Sequence, residues 1–549
     1  MMDATRLDTA TMPVADLLIA ELEAAGVREA FGVISLHNMP FLDAMRRRGV
    51  IRFVTARGEA GAVNMADAAA RVSGRPTLAV TSTGTGAGNA AGALVEAFTA
   101  GAPVIHLTGQ IDSPWLDRGW GFIHEAKDQL GMLRAVSKAA WRISHPDEAA
   151  SVLRAAVRTA LSAPSGPVSI EVAIDLQRTE IPVREALGPL PLLAATADPA
   201  LLDQASAWLA AARRPMLWVG GGALGCVASV RALADAGVPV VASTAGRGVL
   251  DENHPASLAA FAQSPSVAAM IADADLLIVA GSHLRSNETR TYALRLPARV
   301  VRIDADPAAD GRGYANDLFI VADAAQALGR IALPKSVDPA WTARAAQARA
   351  TAEAATRAQA GAYAALIDAV AMVLPDDGIW VRDITLSNSI WGNRLPRRVS
   401  PRTAIHAMGG GIGQGLAHAI GASVAAPGKQ VVAIAGDGGF MLNPGELATA
   451  AQIGARIALV LMNDGGYGVI RNIQDAEYDG RHGDTDLLNP DFAAFAGSLG
   501  VAHRKIASPE QAAEALRWAV AQPGIAIVEV DMARFGDFAS AFAGPPRRA

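Results

Sequence analysis

A chain of 549 residues, 51% of them apolar and 18% charged, has globular composition and room for about three domains of roughly 150 residues. A net charge of −5 removes the electrostatic case for nucleic acid or an anionic membrane as a partner. The single cysteine, Cys226, excludes an internal disulfide and a cysteine-rich metal site; in its apolar, glycine-rich setting it reads as a small core residue.

The N-terminus carries Asp3 and Asp8 where a signal peptide needs bases and an apolar core. No run reaches about 18 uninterrupted apolar residues, so the expectation is a cytoplasmic protein without a membrane span. Short apolar runs then alternate with longer Ala-rich stretches, the pattern of parallel α/β sheets. In the first third, "EAFGV", "IRFVTA", "TLAVTS", "PVIHLTG" and "PVSIEVA" read as strands. "EAGAVNMADAAARVSG" and "GNAAGALVEAFTAG" read as helices between them. The Pro- and Ala-rich stretch from Arg184 to Ala200 reads as a linker.

A second unit has strands "PMLWVGG", "PVVAS", "LLIVAG" and "ARVVRIDAD" and ends near Pro334. Within it, "WVGGGALG" places Gly220, Gly222 and Gly225 at G-x-G-x-x-G spacing after a strand. The dinucleotide fingerprint also needs an acid at the end of the next strand, and "PVVASTAG" has none. A tight turn that packs a helix on the sheet is the preferred reading. The low-complexity helical stretch "WTARAAQARATAEAATRAQAGAYAALIDAV" leads into a third unit with strands "GIWVRDI", "VVAIAG", "IALVLMN" and "AIVEVD". The prediction is three doubly wound parallel-sheet α/β domains, at residues 1–183, 198–334 and 360–549. The first and third are alike in alternation, without an evident residue repeat.

The run "VVAIAGDGGFMLNPGELATAAQIGARIALVLMNDGGYGVI" (Val431 to Ile470) carries the sharpest signal. Strand 431–436 ends at Asp437, strand 457–462 ends at Asn463, and a helix over roughly 444–454 connects them. A right-handed crossover makes these strands parallel and puts both carboxyl ends at one rim, where open α/β sheets bind ligands. A carboxylate and an amide oxygen are hard donors that suit Mg²⁺, whose remaining ligands come from water and phosphate. Gly436, Gly438, Gly439, Gly465 and Gly466 let backbone N–H groups approach phosphate, and the following helix presents its positive end there. Either motif alone equally suits a capped turn. Both on one crossover point to a metal-bridged diphosphate.

The stretch "GDGGFMLNPGELATAAQIGARIALVLMNDGG" resembles the thiamine-diphosphate motif, Gly-Asp-Gly followed at a distance by Asn. Nearly the whole chain is similar to the acetolactate synthase and benzoylformate decarboxylase group of thiamine-diphosphate enzymes. The resemblance implies the domain order pyrimidine-binding, central, diphosphate-binding. It implies that Asp437 and Asn463 ligate Mg²⁺ together with the Gly465 carbonyl. It places Gly436, Gly438, Gly439, Gly466 and Tyr467 among the residues that hold the cofactor. The family often has a second Asn before the ligand Asn; here that position is Met462.

Glu59, in "IRFVTARGEAGAV", takes the place of the family's catalytic glutamate, which hydrogen-bonds the far pyrimidine nitrogen; by position alone it would be a first-turn acid favoured by the helix dipole. Ile412, alone among Gly409, Gly410, Gly411 and Gly413 in "HAMGGGIGQG", has a stiff side chain in a permissive backbone. The resemblance makes it the apolar wedge that folds the cofactor into a V, with the Gly410 carbonyl accepting from the cofactor's amino group. Thr385, Ser387 and Asn388, in "VRDITLSNSIW", fall where the family binds phosphate. Asn89, in "TSTGTGAGNAAGALVEA", falls where the family touches the pyrimidine or the substrate; an N-cap is its other reading. Gln110, at the end of "HLTGQ", has the same two kinds of reading.

Ile34, Ser35, Leu36 and His37, in "FGVISLHNMP", replace a family turn that faces the reacting carbon. His124 and Glu125, in "GFIHEAKDQLG", stand where many acetolactate synthases have Gln-Glu. A histidine there can move protons at neutral pH, which makes His37 and His124 candidate catalytic residues; a structural hydrogen bond is the alternative. "TSTGTGAGN" lacks the proline of the usual acetolactate synthase turn. The expectation is a thiamine-diphosphate- and Mg²⁺-dependent 2-oxo acid decarboxylase/carboligase, acetolactate-synthase-like. An aromatic (benzoylformate-type) decarboxylase is the alternative. A non-catalytic regulatory paralogue would be expected to lose Glu59, Asp437 or Asn463, and all three are present. The resemblance further implies a small 2-oxo acid substrate and a homodimer or homotetramer in which Glu59 reaches the third domain of a neighbouring subunit. It leaves open whether the central domain holds FAD.

Overall fold

The computed structural model describes residues 10–192 and 194–540. Residues 1–9, with the acids Asp3 and Asp8 weighed against a signal peptide, Leu193 of the expected linker, and residues 541–549 lie outside the described residues.

Nineteen strands occur among the described residues. The first part of the chain contributes β1 (Thr11–Pro13), β2 (Glu29–Gly32), β3 (Arg52–Thr55), β4 (Thr77–Thr81), β5 (Val104–Gln110), β6 (Ala139–Ile143), β7 (Val168–Ala173) and β8 (Glu180–Pro182). The middle contributes β9 (Pro215–Val219), β10 (Val240–Ala242), β11 (Leu276–Ala280), β12 (Val300–Asp304) and β13 (Leu318–Val321). The last part adds β14 (Ile379–Arg382), β15 (Ala404–His406), β16 (Val431–Gly436), β17 (Ile457–Asn463), β18 (Ala502–Ile506) and β19 (Ala526–Asp531). β1 and β8 form a small antiparallel ribbon. The other strands make three wholly parallel sheets, ordered β3-β2-β4-β5-β7-β6, β10-β9-β11-β12-β13 and β15-β14-β16-β17-β19-β18. The expected fold class, three parallel-sheet α/β domains, is the one observed.

The first and third sheets have the same topology. In each, the strands stand in the order second, first, third, fourth, sixth, fifth. The likeness lies in the path of the backbone, which the residues alone do not display.

Two compact units divide the chain. One joins Met1–Leu192 to the later segments Met408–Pro427 and Asn443–Ile453; the other comprises Leu193–Ala407, Gly428–Leu442 and Gly454–Ala549. In the first unit, helix Glu59–Ser73 packs against helix Gly415–Ala425. The crossing is so close that a Cβ on Gly421 would overlap the backbone of Met65. Within this contact the buried Asp67 carboxylate lies 3.0 Å from His418 Nε2 and 3.1 Å from Arg71 Nη1. Apolar residues of β2, β4, β5 and β7 form the core under the first sheet, with helices Val14–Ala24 and Ala149–Leu161 packed on it.

In the second unit, β9 opens into the turn at Gly220. A Cβ on Gly222 would stand 2.9 Å from Gly281 Cα; these glycines let two strand ends meet backbone to backbone. Cys226, just beyond, is buried, and burial pushes its thiol up to about 12. Helix Pro339–Ala360, capped by Asp338 with Pro339 at its first position, follows the central sheet.

The expected helix over 444–454 is shorter. The chain makes a one-turn helix, Asp437–Phe440, directly after β16, and then a helix over Glu446–Gln452. Asn443, Pro444 and Gly445 interrupt the two. No helix among the described residues is long and apolar enough to cross a membrane.

Candidate functional site

β14 and β16 flank the point at which the strand order of the third sheet reverses, the place where such sheets receive ligands. β16 delivers Asp437 as the first residue of the one-turn helix, and β17 ends on Asn463. The register pairs Gly436 with Met462, which sets Asp437 beside Asn463. Both face the same donor: Asn489 Nδ2 lies 2.6 Å from Asp437 Oδ2 and 3.4 Å from Asn463 Oδ1.

Asn463 is oriented from behind. Its Nδ2 donates to Glu529 Oε1 at 2.9 Å, and a carboxylate only accepts, so the amide oxygen must face away from Glu529. Glu529 also accepts from His503 Nε2 (2.9 Å) and pairs with Lys505 Nζ (3.2 Å). Burial alone would raise its pKa; the hydrogen bonds from His503, Asn463 and Lys505 outweigh burial and hold the carboxyl at about 2.

Three polar atoms near this rim are buried without a hydrogen-bond partner among the described residues: Asp437 Oδ1, Ser387 Oγ and Asn388 Oδ1. Buried polar atoms are nearly always paired, so three orphans at one strand-end rim mark a place for a polar ligand. Thr385 Oγ1 accepts from the Asn388 backbone N–H at 2.9 Å and starts the turn that carries Ser387 and Asn388. Its methyl group would be 3.5 Å from a Cβ on Gly436. Burial raises the Asp464 carboxyl above its usual range, and the nearby Asp437 charge raises it further. Two acids that repel each other beside an amide oxygen suit a bound cation. No group of three or more His, Cys, Asp or Glu among the described residues is arranged to hold a metal; the donors here are a carboxylate and an amide.

The Gly465 carbonyl, the third expected ligand, follows Asn463 by two residues, and the Gly465 backbone N–H donates to Asn463 Oδ1 at 3.2 Å. In this structure the carbonyl accepts from the Leu487 backbone N–H (3.0 Å) and from Arg471 Nη2 (3.0 Å). Tyr467 precedes helix Gly468–Glu477, with its ring against Gly438. Gly439 lies inside the one-turn helix, and the Gly466 backbone N–H bonds to the Asp464 carboxyl.

At the rim of the first sheet, Glu59 opens helix Glu59–Ser73 directly after Gly58, whose extended backbone ends the loop from β3. Glu59 Oε2 accepts from Asn89 Nδ2 at 3.1 Å. Asn89 stands inside helix Thr85–Ala100, whose N-cap is Gly84, so its N-cap reading falls: the side chain reaches across to Glu59 instead. In the same unit, Gly410 has φ +84 and Gly413 has φ +87, leaving Ile412 half-buried between them. The Gly413 carbonyl accepts from Asn443 Nδ2 at 2.9 Å.

His37 and His124 come together although 87 positions separate them in "FGVISLHNMP" and "GFIHEAKDQLG" (124 − 37). Their rings meet edge to face with centroids 5.1 Å apart. His37 is buried and His124 exposed. Burial, then the neighbouring His124, lowers the His37 pKa below the usual histidine range. His124 has φ +69, a backbone region uncommon for a residue with a side chain and frequent at functional sites. Ile34 and Leu36 are exposed beside His37, and Ser35 donates its backbone N–H to Asn38 Oδ1. Glu125 holds its own loop, accepting from the N–H groups of Gly119, Gly121 and Phe122. Gln110 is used internally: its Oε1 accepts from Thr83 Oγ1 and from the Ile111 N–H, both at 2.8 Å.

Asn489, Glu529 and Asp464 were not found by motif. Asn489 carries no local pattern. Glu529 was legible as a lone acid inside the apolar strand "AIVEVD", since a charge in a central strand needs partners.

Comparison with known proteins gives matches along most of the chain. Residues 12–132 match the family "Thiamine pyrophosphate enzyme, N-terminal TPP binding domain", 202–331 the central domain and 386–530 the C-terminal TPP binding domain. A probable 2-ketoarginine decarboxylase of Pseudomonas aeruginosa is 30% identical over 95% of this chain and 94% of its own length. A probable acetolactate synthase large subunit of Methanocaldococcus jannaschii is 28% identical, covering 93% of this chain and 90% of its own. The acetolactate synthase isozyme 1 large subunit of Escherichia coli is 28% identical, covering 94% and 93%.

Proposed function

Because the chain belongs to the thiamine pyrophosphate enzyme family, we propose that it is a thiamine-diphosphate- and Mg²⁺-dependent enzyme that decarboxylates a small 2-oxo acid and passes the product to a second carbonyl compound. The observation that carries this reading is the convergence of Asp437 and Asn463 on one point, with Asp437 Oδ1, Ser387 Oγ and Asn388 Oδ1 left unpaired.

In this reading Asp437 and Asn463 hold Mg²⁺ against the diphosphate. Ser387, Asn388, Thr385 and the backbone around Gly436, Gly438, Gly439, Gly466 and Tyr467 receive the phosphate oxygens. Glu59 hydrogen-bonds the pyrimidine, with its carboxylate aimed by Asn89. Ile412 props the bent cofactor and the Gly410 carbonyl accepts from its amino group. When bound, thiamine diphosphate supplies the sink for the electron pair left behind as CO₂ departs. His37, kept neutral by burial, can accept a proton at one ring nitrogen while donating from the other, and His124 beside it connects that proton to solvent.

The domains at 1–183, 198–334 and 360–549 take the pyrimidine-binding, central and diphosphate-binding roles. The chain works in the cytoplasm as a homodimer or homotetramer with sites shared between subunits. A second reading, decarboxylation that ends in protonation, is supported by the His37–His124 pair, whose imidazoles can carry the proton that this outcome delivers to carbon.

Thermal denaturation tests the cofactor assignment. Thiamine diphosphate with Mg²⁺ should raise the melting temperature, each alone should do less, and NAD should do nothing. No shift with the pair, or an equal shift with NAD, sinks the proposal. A CO₂-release screen over pyruvate, benzoylformate and longer 2-oxo acids, with product analysis, then separates the two readings.

A further inference from the structure

Two buried acids outside the proposed catalytic set make matching contacts. Glu446, at the start of helix Glu446–Gln452, is 2% exposed. Its Oε1 accepts from the backbone N–H groups of Arg57 and Gly58, both at 3.1 Å. Its Oε2 accepts from Arg57 N–H at 3.2 Å and from Thr449 Oγ1 at 2.7 Å. A Cβ on Gly61 would overlap this carboxylate, so the glycine makes room for it. Glu96, in helix Thr85–Ala100, is also 2% exposed. Its Oε1 and Oε2 accept from the N–H groups of Met408 (2.5 Å) and Gly409 (2.7 Å).

Each captured pair lies directly ahead of a residue proposed to handle the pyrimidine end of the cofactor: Arg57–Gly58 precede Glu59, and Met408–Gly409 precede Gly410 and Ile412. The acids also occupy equivalent places in the two like sheets. Glu96 lies on the helix after β4 and Glu446 on a helix after β16, the third strand of each sheet. Each grips the loop that follows the second strand of the other sheet, β15 or β3.

Backbone N–H groups in loops have no ladder acceptors and need other partners, and charge-assisted bonds to them are among the strong ones. A buried carboxylate away from these donors would be costly, so acid and loop fix each other. We infer that Glu96 and Glu446 are reciprocal positioning residues that set the Gly410–Ile412 segment and Glu59, respectively, by capturing the backbone just before them. The inference rests on the roles proposed above for Glu59, Gly410 and Ile412.

The test uses the full-length protein and the isosteric variants Glu446→Gln and Glu96→Gln, which turn one acceptor into a donor facing N–H groups. Amide hydrogen exchange should quicken about tenfold at Arg57 and Gly58 in the first variant, and at Met408 and Gly409 in the second, measured without cofactor. With thiamine diphosphate and Mg²⁺ bound, the near-ultraviolet circular dichroism that reports the pyrimidine tautomer should weaken. In turnover, kcat should drop about tenfold while KM stays within about twofold. Thr449→Val, which removes the hydroxyl bond to Glu446 and a longer one to the Thr55 carbonyl, gives a milder form of the same changes if Glu446→Gln does not fold. Unchanged exchange at these amides overturns the capture; quickened exchange with intact dichroism and kcat overturns the positioning role. Wild-type protein that binds no thiamine diphosphate overturns the functional reading instead, and the cofactor-free exchange still reports on the capture by itself.

Discussion

Glu529 accepts the Asn463 carboxamide N–H at 2.9 Å, and this bond decides which way the amide faces. Glu529→Gln cannot satisfy His503, Lys505 and Asn463 together, so the amide oxygen loses its fixed direction. Mg²⁺ affinity in the presence of thiamine diphosphate should fall about tenfold or more, read by titration calorimetry, with far-ultraviolet circular dichroism unchanged. Affinity within about twofold of wild type would show that Asn463 needs no such support.

Glu59→Gln keeps the shape of the side chain and removes its charge. Thiamine diphosphate and Mg²⁺ should still raise the melting temperature of this variant, while turnover falls about a hundredfold or more. Wild-type-like turnover would remove Glu59 from the mechanism. Asn89→Ala should show a smaller loss, because Glu59 keeps its charge and loses only its aim.

The histidine pair predicts a change in products. His37→Ala or His124→Ala should slow release of the protonated aldehyde about a hundredfold, with less effect on any carboligation product, as measured by gas or liquid chromatography of the reaction mixture. Equal loss of both products would give the pair a step common to both outcomes, in substrate binding or in proton delivery to the acceptor oxygen. Since burial holds His37 below the usual histidine range, its neutral form persists at acid pH where a free imidazole is already charged. The acid limb of the aldehyde-forming reaction should therefore lie below the ordinary histidine pKa.

His106 makes a stability prediction independent of catalysis. It is buried, with Nε2 2.9 Å from Thr81 Oγ1 and Nδ1 3.0 Å from Ser169 Oγ. Burial lowers its pKa from 6.5 to about 4. Because the unfolded state takes up the proton first, stability is full above 6.5 and is lost as pH falls from 6.5 towards 4. The loss from this one group is on the order of 3 kcal/mol when complete. Thermal denaturation across this range should show the advantage of wild type over His106→Gln shrinking with acidity; a constant gap would mean that His106 does not titrate differently on unfolding.

The central strands of each sheet were legible because they are buried on both faces and read as continuous apolar runs. The strands that escaped notice in the three sheets are β6, β13, β15 and β18, and all four are edges. β18, "AHRKI", and β6, "AAWRI", carry charges that an edge tolerates; β15 and β13 are three and four residues long. At the candidate site, Asp437 and Asn463 stand out because each ends an apolar run beside glycines; Glu59 stands out only through the family resemblance, since by position alone it reads as a first-turn acid. Asn489, Glu96 and Glu446 do not stand out, since their work depends on partners 26, 312 and 388 positions away.

The pairing of Met1–Leu192 with 408–427 and 443–453 bears on how the chain is made. As synthesis proceeds, the Ala-lined face of helix Glu59–Ser73 leaves the ribosome long before helix Gly415–Ala425 exists to cover it. A nascent chain released or cut near residue 200 would expose that face, together with Asp67, left with Arg71 but without His418, and the acid of Glu96. The N-terminal third is therefore a poor candidate for expression as a separate fragment, and its solubility should be restored by co-producing the segment from 408 to 453.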